Sequence, residues 1–543
     1  MKRQGALLLA LIIFLPLSAL GAAVREDEGL YEAAACEAAL PQALGITDNV
    51  YEAGELMPEY EREADLTAQA DGEYAYLADT GVYAFRGDNY RRNAAFGTAE
   101  IAEGAIIPLW EYPLGGLRTA ESGTLYGVGW NSQPAVVKWA REVRTAMALY
   151  PEAAETKALC EVIFAAQDGK VYFLNLADGS ATRDPISIGY PMKGSVSVDA
   201  MGRPMIAFGQ AISKMPKDTG EIGMYLYDLL TMQPLFFLNG RKTGGQVQYS
   251  ANGAFDSSPL FVSRYQEDAI VVAGENGLLY TVDLNTDFRY SHEEMTLSVD
   301  PVVTYMNSIA AGEKENRVSI ESAVSMADRF VFTGDAWGIV RCVDTTTMRC
   351  VWALDLGDNV DAAMALDPME TELSLYAGTT CYARVEKKDP AVIVRINALT
   401  GEILWKFEVP CVKNASLDLS GCKASPVIGE RGLSDYVYFT VNEVSAGKAR
   451  LYCLDKGTGE PVWSFDLADT VSSPVAVYSE FGSGVIVQCA SDGHIYMLDG
   501  QKGDLIASVQ VDGQFEASPV VYRDRLVVGT SDKNAKMYCF LLK

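Results

Sequence analysis

One spacing recurs along this chain and constrains its fold more than any other feature. An Asp or Asn closes a short apolar run, a turn residue follows four positions on, and a Trp follows four positions after that. It is complete in Asn397, Gly401, Trp405 and in Asp455, Gly459, Trp463, with Asp344, Met348, Trp352 as a third copy. Asn175, Gly179, Arg183 keeps the spacing and loses the Trp, as do Asp228, Met232, Phe236, then Asp283, Asp287, Ser291, and finally Asp499, Gly503, Ala507. Leu541 is the last equivalent, which makes eight units separated by 42 to 61 residues. An opening motif recurs ahead of them: Ser132-Gln133-Pro134, Ser258-Pro259, Ser425-Pro426, Ser473-Pro474, Ser518-Pro519, with Asp361-Ala362-Ala363-Met364 as a degenerate copy.

Between these marks, short runs rich in Val, Ile, Tyr and Phe alternate with Gly, Asp, Asn and Pro, the pattern of strands and tight turns. A unit of this size cannot bury its apolar face alone, so the units must stack. The prediction is an all-β chain, an eight-bladed propeller of four-stranded antiparallel blades spanning residues 74–543. The last unit ends at Lys543 before an outer strand can form, and Ile106 to Tyr112 looks like a lone outer strand with its Trp at 110. Pairing the two closes the ring and leaves no free inner edge. Gly401 and Gly459 are expected to supply positive φ in the turn. The Asp or Asn is expected to bond turn amides four residues on. Trp110, Trp352, Trp405 and Trp463 are expected to dock on the neighbouring blade.

The pattern Asp-x-x-Thr-Gly-x-x-x-Trp with its Ser-Pro-Val openings resembles the pyrroloquinoline quinone (PQQ) repeat, the tryptophan-docking propeller. Phe85 to Asn93 (Phe-Arg-Gly-Asp-Asn-Tyr-Arg-Arg-Asn) similarly looks like the lead-in of such propellers. The resemblance covers about residues 80–543 and implies the fold. It leaves function open among quinone-dependent alcohol or sugar dehydrogenases, scaffold subunits of outer-membrane assembly machinery and other secreted proteins. The dehydrogenase branch implies PQQ with calcium, a vicinal Cys-Cys disulfide on one cofactor face and a Trp on the other. This chain has no adjacent cysteines. Trp337 is the residue placed to stack on a planar ligand at the channel rim.

Lys2 and Arg3 precede an apolar run from Leu7 to Leu20, and small residues follow to Ala23. That order predicts a signal peptide over residues 1–23 and an extracytoplasmic chain with no membrane span after cleavage. Residues 24–73 carry 14 acids and few bases and are expected to be a flexible acidic spacer. With 44 Lys and Arg against 72 Asp and Glu, the net charge is −28, which repels a polyanion and excludes nucleic acid as a partner. Of ten cysteines, Cys342 with Cys350 and Cys411 with Cys422 are the disulfide candidates.

No catalytic residue stands out. Only two histidines are present, His292 and His494, too few for a zinc site or a Ser-His-Asp relay without conscripting one of them. Three residues before the opening Pro stand Asn131, Asp256, Lys423 and Glu516, with Asp361 at the equivalent place. Inner strands line a propeller's channel, so these groups should meet at one mouth around a cation or a hydroxyl-rich ligand. The reading is a non-catalytic scaffold for a protein or glycan partner, without cofactor. The alternatives are a divergent PQQ-dependent dehydrogenase with calcium and a carbohydrate-active propeller using paired carboxylates.

Overall fold

The computed structural model describes residues 31–63, 65–68, 78–120, 122–211, 215–216, 221–241, 252–264, 267–290, 294–313, 318–369, 372–381, 390–412 and 419–543. The leader at 1–23 and His292 lie outside them. No helix among the described residues is long and apolar enough to cross a membrane.

The chain is an eight-bladed propeller. Blades 4 to 7 are regular four-stranded antiparallel sheets in sequence order, running for example through Ala365–Pro368, Leu373–Gly378, Ala391–Asn397 and Ile403–Val409 in blade 5. Blade 8 takes three strands from the C-terminus and its outer strand from Ile106–Pro113, which pairs with Lys536–Leu542 so that Trp110 stands opposite Cys539. Eight apolar clusters fill the spaces between neighbouring blades. The one between blades 5 and 6 holds Tyr376, Ile393, Phe439 and Leu454 around Trp405. Each blade therefore lends one face to each neighbour, and none is a self-contained core.

The turn geometry explains the repeat. Gly401, Gly459, Gly503 and Gly179 have φ of 73°, 74°, 75° and 74°. Met232 and Met348 hold the same position at φ 58° and 50° without a glycine's freedom. The amide four residues on is taken by the backbone, Gly459 N–H to Asp455 C=O at 2.8 Å. The Asp side chain reaches nearer amides, Asp455 Oδ1 accepting from Thr458 N–H at 2.8 Å and Asp499 Oδ1 from Gln501 and Lys502 at 2.9 Å each. This corrects the expected reach of four. Each Trp then lies on the next blade's turn. Trp352, Trp405, Trp463 and Trp110 donate their indole N–H to the carbonyls of Ala398, Lys456, Gly500 and Leu176 at 2.7, 2.8, 3.0 and 2.9 Å. A Cβ on Gly459 would sit 2.6 Å from the Trp405 ring, so glycine serves both the positive φ and the close approach.

Two further expectations differ from the structure. The fourth strand of blade 3 is not the run after Asp283. Asp287–Tyr290 and Met295–Ser298 form a separate hairpin, and Val302–Ile309 pairs with Leu279–Asp283 instead. The segment expected to be a spacer also packs where it is described. Thr47–Glu52 adds antiparallel to Val302–Ile309, and Glu55–Leu56 adds beyond it, so that this sheet has six strands. Tyr51 stacks on Tyr305 at 5.1 Å, and Val50, Tyr60 and Leu66 enter the core between blades 3 and 4. Arg62 reaches Asp283 and donates to Thr281 at 2.8 Å. The acids of this stretch, such as Glu55, Glu59, Glu61 and Glu63, are exposed. Composition saw that outward face and not the alternation beneath it.

Candidate functional site

Inner strands of a propeller present unpaired N–H groups to the axis, and a buried donor needs an acceptor. Here the chain supplies its own. Ala78–Val82 pairs with the inner strand of blade 1, and Ala95–Phe96 runs parallel to that of blade 8. Between them residues 83–94 cross the axis. The carbonyls of Tyr83, Asn89, Tyr90, Arg92 and Ala94 accept from Val198, Met326, Leu366, Ile428 and Val521, in blades 2, 4, 5, 6 and 8, at 2.8 to 3.1 Å. Asn93 bonds Ala476 of blade 7 in both directions.

Arg86 and Arg91 anchor this plug and are fully buried. Arg86 donates to the carbonyls of Pro474 and Pro426 at 2.7 and 3.0 Å. Arg91 donates to Val324, Phe85 and Ser258 at 2.8, 2.7 and 3.3 Å. Burial pushes the two guanidinium groups down to about 9 and about 10, still charged at neutral pH, with carbonyl dipoles in place of a carboxylate. Gly87, at φ 96°, admits the bend: a Cβ there would lie 2.2 Å from the Asn93 carbonyl oxygen.

Above the plug the Ser of the opening motif has a role that its recurrence alone did not reveal. Gln133 N–H donates to Ser195 Oγ, Ser195 N–H to Ser258 Oγ, Ala363 N–H to Ser425 Oγ, Ser425 N–H to Ser473 Oγ and Ser473 N–H to Ser518 Oγ, each at 2.9 to 3.0 Å. Ser518 N–H returns to the Ser132 carbonyl at 2.9 Å. These bonds tie blades 1 to 3 and blades 5 to 8 and back to blade 1, leaving out blade 4, where Ala323 and its neighbour Ala363 offer no hydroxyl, and they set the register of the residue two positions earlier.

Those earlier residues form the mouth, and the register names one from every blade: Asn131, Lys193, Asp256, Glu321, Asp361, Lys423, Val471 and Glu516. The structure brings Asn131, Asp256, Asp361, Lys423 and Glu516 together, and adds Lys193 and Glu321. Those two escape a search for the opening Pro because Ser195-Val196 and Ala323-Val324 lack it, whereas unit spacing would find them. Lys423 pairs with Asp361, and Lys193 stands 3.7 Å from Asp256. Phe85, packed on Ala323 and Ala363, belongs to the floor.

Burial, with the nearby Asp361 charge, pushes Glu321 up to about 7. Burial also raises Asp256, Glu275 and Glu516, while the Asp256 carboxylate raises Lys193. Asn131 Nδ2 and Asp256 Oδ1 are buried, with no hydrogen-bond partner among the described residues. The cup therefore holds more acid than base and carries open polar valence.

Trp337 is not at this mouth. It packs outward near Ile339, Leu44, Ile46 and Cys350. The indole that stands here is Trp130, next to Asn131 in sequence, with the Lys423 ammonium 4.3 Å from its ring centroid. The cysteine pairs differ as well. Cys342 stands opposite Trp352 and Cys350 opposite Val343, so their side chains lie in different packing clusters and both thiols are free. The Cys411 thiol donates to the Val409 carbonyl at 3.3 Å and stands beside Cys381, while Cys422 is buried in the core between blades 5 and 6. Among the described residues no group of three or more His, Cys, Asp or Glu side chains is arranged to hold a metal ion.

The class that these features define is the β-propeller built of PQQ-like repeats. The family described as outer membrane protein assembly factor BamB matches residues 447–539. The β-alanine-activating enzyme of Danio rerio is 33% identical over 95 residues, which is 17% of this chain and 8% of that protein. Two solved structures share the fold at 11% identity. Quinohemoprotein alcohol dehydrogenase ADHIIG from Pseudomonas putida HK5 has a TM-score of 0.54 over 88% of this chain and 83% of its own. The quinohemoprotein alcohol dehydrogenase of Comamonas testosteroni has a TM-score of 0.52 over 87% and 82%.

Proposed function

We propose that this chain is a non-catalytic, extracytoplasmic binding scaffold that takes a protein or glycan partner at the mouth of its channel through a cationic or hydroxyl-rich group. The observation that carries the reading is the cup itself: a floor made by the chain's own plug, a wall with one residue from each blade, and an excess of carboxyl groups over lysines. Unpartnered Asn131 and Asp256 atoms offer a donor and an acceptor to an incoming polar group. A carboxylate-lined concavity also draws cations by its field. The apolar character of residues 7–20 supports an extracytoplasmic location.

A planar quinone does not fit these residues. The indole at the mouth is already covered by the Lys423 ammonium, which is itself paired with Asp361.

The test is a titration of the protein, from residue 24 onward, with a hexalysine peptide and separately with a neutral oligosaccharide. Tryptophan emission and thermal melting are followed together. Binding to the native state must raise the melting temperature. A cation entering the cup should displace Lys423 from Trp130 and change the emission. Asp256→Asn should weaken the response roughly tenfold, about 1.4 kcal/mol. Silence toward both probes, with a saturable melting rise on adding PQQ and calcium, would overturn the scaffold reading in favour of the dehydrogenase.

A further inference from the structure

The strand order brings three cysteines from distant positions to one place on the rim between blades 5 and 6. Residues 379–381 run antiparallel to residues 420–422, with a bridge between Thr380 and Gly421. Cys381 N–H donates to the Ser420 carbonyl at 3.2 Å and Cys422 N–H to the Thr379 carbonyl at 2.9 Å. Ser420 Oγ then donates to the Val412 carbonyl at 2.7 Å, which draws Cys411 alongside. The Cys411 thiol donates to the Val409 carbonyl at 3.3 Å, and the Cys381 sulfur stands close enough for each thiol to shift the other. Cys422 lies nearby but deeper: it is fully buried, with its sulfur 2.8 Å from where a Cβ on Gly378 would stand.

We infer that Cys381 and Cys411 are a disulfide pair that clamps two adjacent rim segments of the propeller. Cys411 is the more exposed of the two and the neighbouring Cys381 lowers its thiol, so Cys411 is the first nucleophile. With a low-molecular-weight disulfide such as oxidised glutathione, the Cys411 thiolate attacks one sulfur and releases one glutathione thiolate. Cys381 then gives up its proton and attacks the Cys411 sulfur of the mixed disulfide, releasing the second. Two protein thiols are oxidised, one glutathione disulfide is reduced, and the two thiol protons end on the two glutathiones.

The clamp has a mechanical consequence for the mouth. Thr380, next to Cys381, bonds Asp358 Oδ1 at 2.6 Å and the Asn359 carbonyl at 2.8 Å, close in sequence to Asp361 in the cup wall. Closing the bond fixes that stretch of wall and removes loop entropy from the unfolded chain.

The experiment exposes the full chain to oxidised glutathione, alkylates it under non-reducing conditions and maps peptides by mass. The expected result is a Cys381–Cys411 crosslinked peptide lighter by two hydrogens. It should be lost in Cys381→Ser and in Cys411→Ser and retained in Cys422→Ser. Reduction of the parent protein should speed amide exchange at residues 379–381 and 411–412 and leave blades 1 and 2 unchanged. A Cys411–Cys422 peptide, or free alkylation of Cys381 and Cys411 after oxidation, overturns the inference. The parent-protein measurement needs no variant to fold.

Discussion

At the junction of blades 5 and 6, the Trp405 indole donates to the Lys456 carbonyl, one residue past the turn-opening Asp. At the junction of blades 1 and 2, Arg183 stands where Trp would, and its guanidinium donates to the Leu229 carbonyl, the same acceptor position, at 3.4 Å. The rest of Arg183 is held by Glu161 at 2.7 Å, with both side chains almost wholly buried, and by the Phe173 ring at 4.8 Å. The C-terminal blades thus join through aromatic burial, and the first two through a buried ion pair that reuses one hydrogen bond of the same site. The repeat preserves an acceptor and a geometry rather than a side chain. A flat, N–H-bearing group just past the turn suffices, at the cost of a counter-charge when that group is cationic.

The comparison breaks most sharply at Arg183. Arg183→Ala leaves Glu161 buried without its cation, and should destabilise the protein by about 3–5 kcal/mol in denaturant unfolding. Trp352→Ala, in the aromatic half, should cost about 3–4 kcal/mol. A much smaller loss for Arg183→Ala would mean that the polar junction does not hold blades 1 and 2 together. Gly459→Ala forces both a positive φ and a Cβ against the Trp405 ring, and should cost about 1–3 kcal/mol. The neighbouring case sharpens this: Met232 tolerates φ 58°, and Met232→Gly should change stability by less than about 1 kcal/mol.

The mouth adds a pH term of intermediate size. Glu321 sits at about 7 in the folded protein, above the unfolded value of about 4.3. Its favourable contribution is therefore complete below pH 4 and lost as pH rises through about 7. Melting temperature should fall between pH 5 and pH 8, and Glu321→Gln should flatten that fall, with a gain on the order of 1–2 kcal/mol at pH 8. The smallest effect is the most diagnostic. Replacing the ion pair outright, Arg183→Trp with Glu161→Leu, should restore stability to within about 1 kcal/mol of the parent, because the charge and its counter-charge leave together.

What the sequence revealed follows the same division. Turn spacing, strand alternation and the unmatched Ile106–Tyr112 run are local signals, and from them the eight blades and the ring closure could be read. The plug could not. Arg86 and Arg91 look like surface residues until the carbonyls of four blades surround them, and nothing near them in sequence announces that. The hairpin in blade 3 was hidden because Asp283 and Asp287 keep the repeat spacing while the chain leaves the sheet. At the mouth, four residues were legible from the motif's Pro and Asp361 from a degenerate copy of it. Lys193, Glu321 and Trp130 were not, because the copies of the first two, with Val196 and Val324 in place of the Pro, are visible only from the unit spacing, and the third lies one step outside the motif position.

Pairing of Lys536–Leu542 with Ile106–Pro113 also sets a timetable. The partners in the Lys536–Glu111 contact are 425 positions apart, so the N-terminal strand is made long before its mate exists. The plug waits as well, since its donors and acceptors come from every blade of the ring. During synthesis the early blades can form only an open arc with an exposed edge, and the axis fills when the final strand arrives. Truncation anywhere in blade 8 should therefore trap an aggregation-prone arc rather than a smaller propeller.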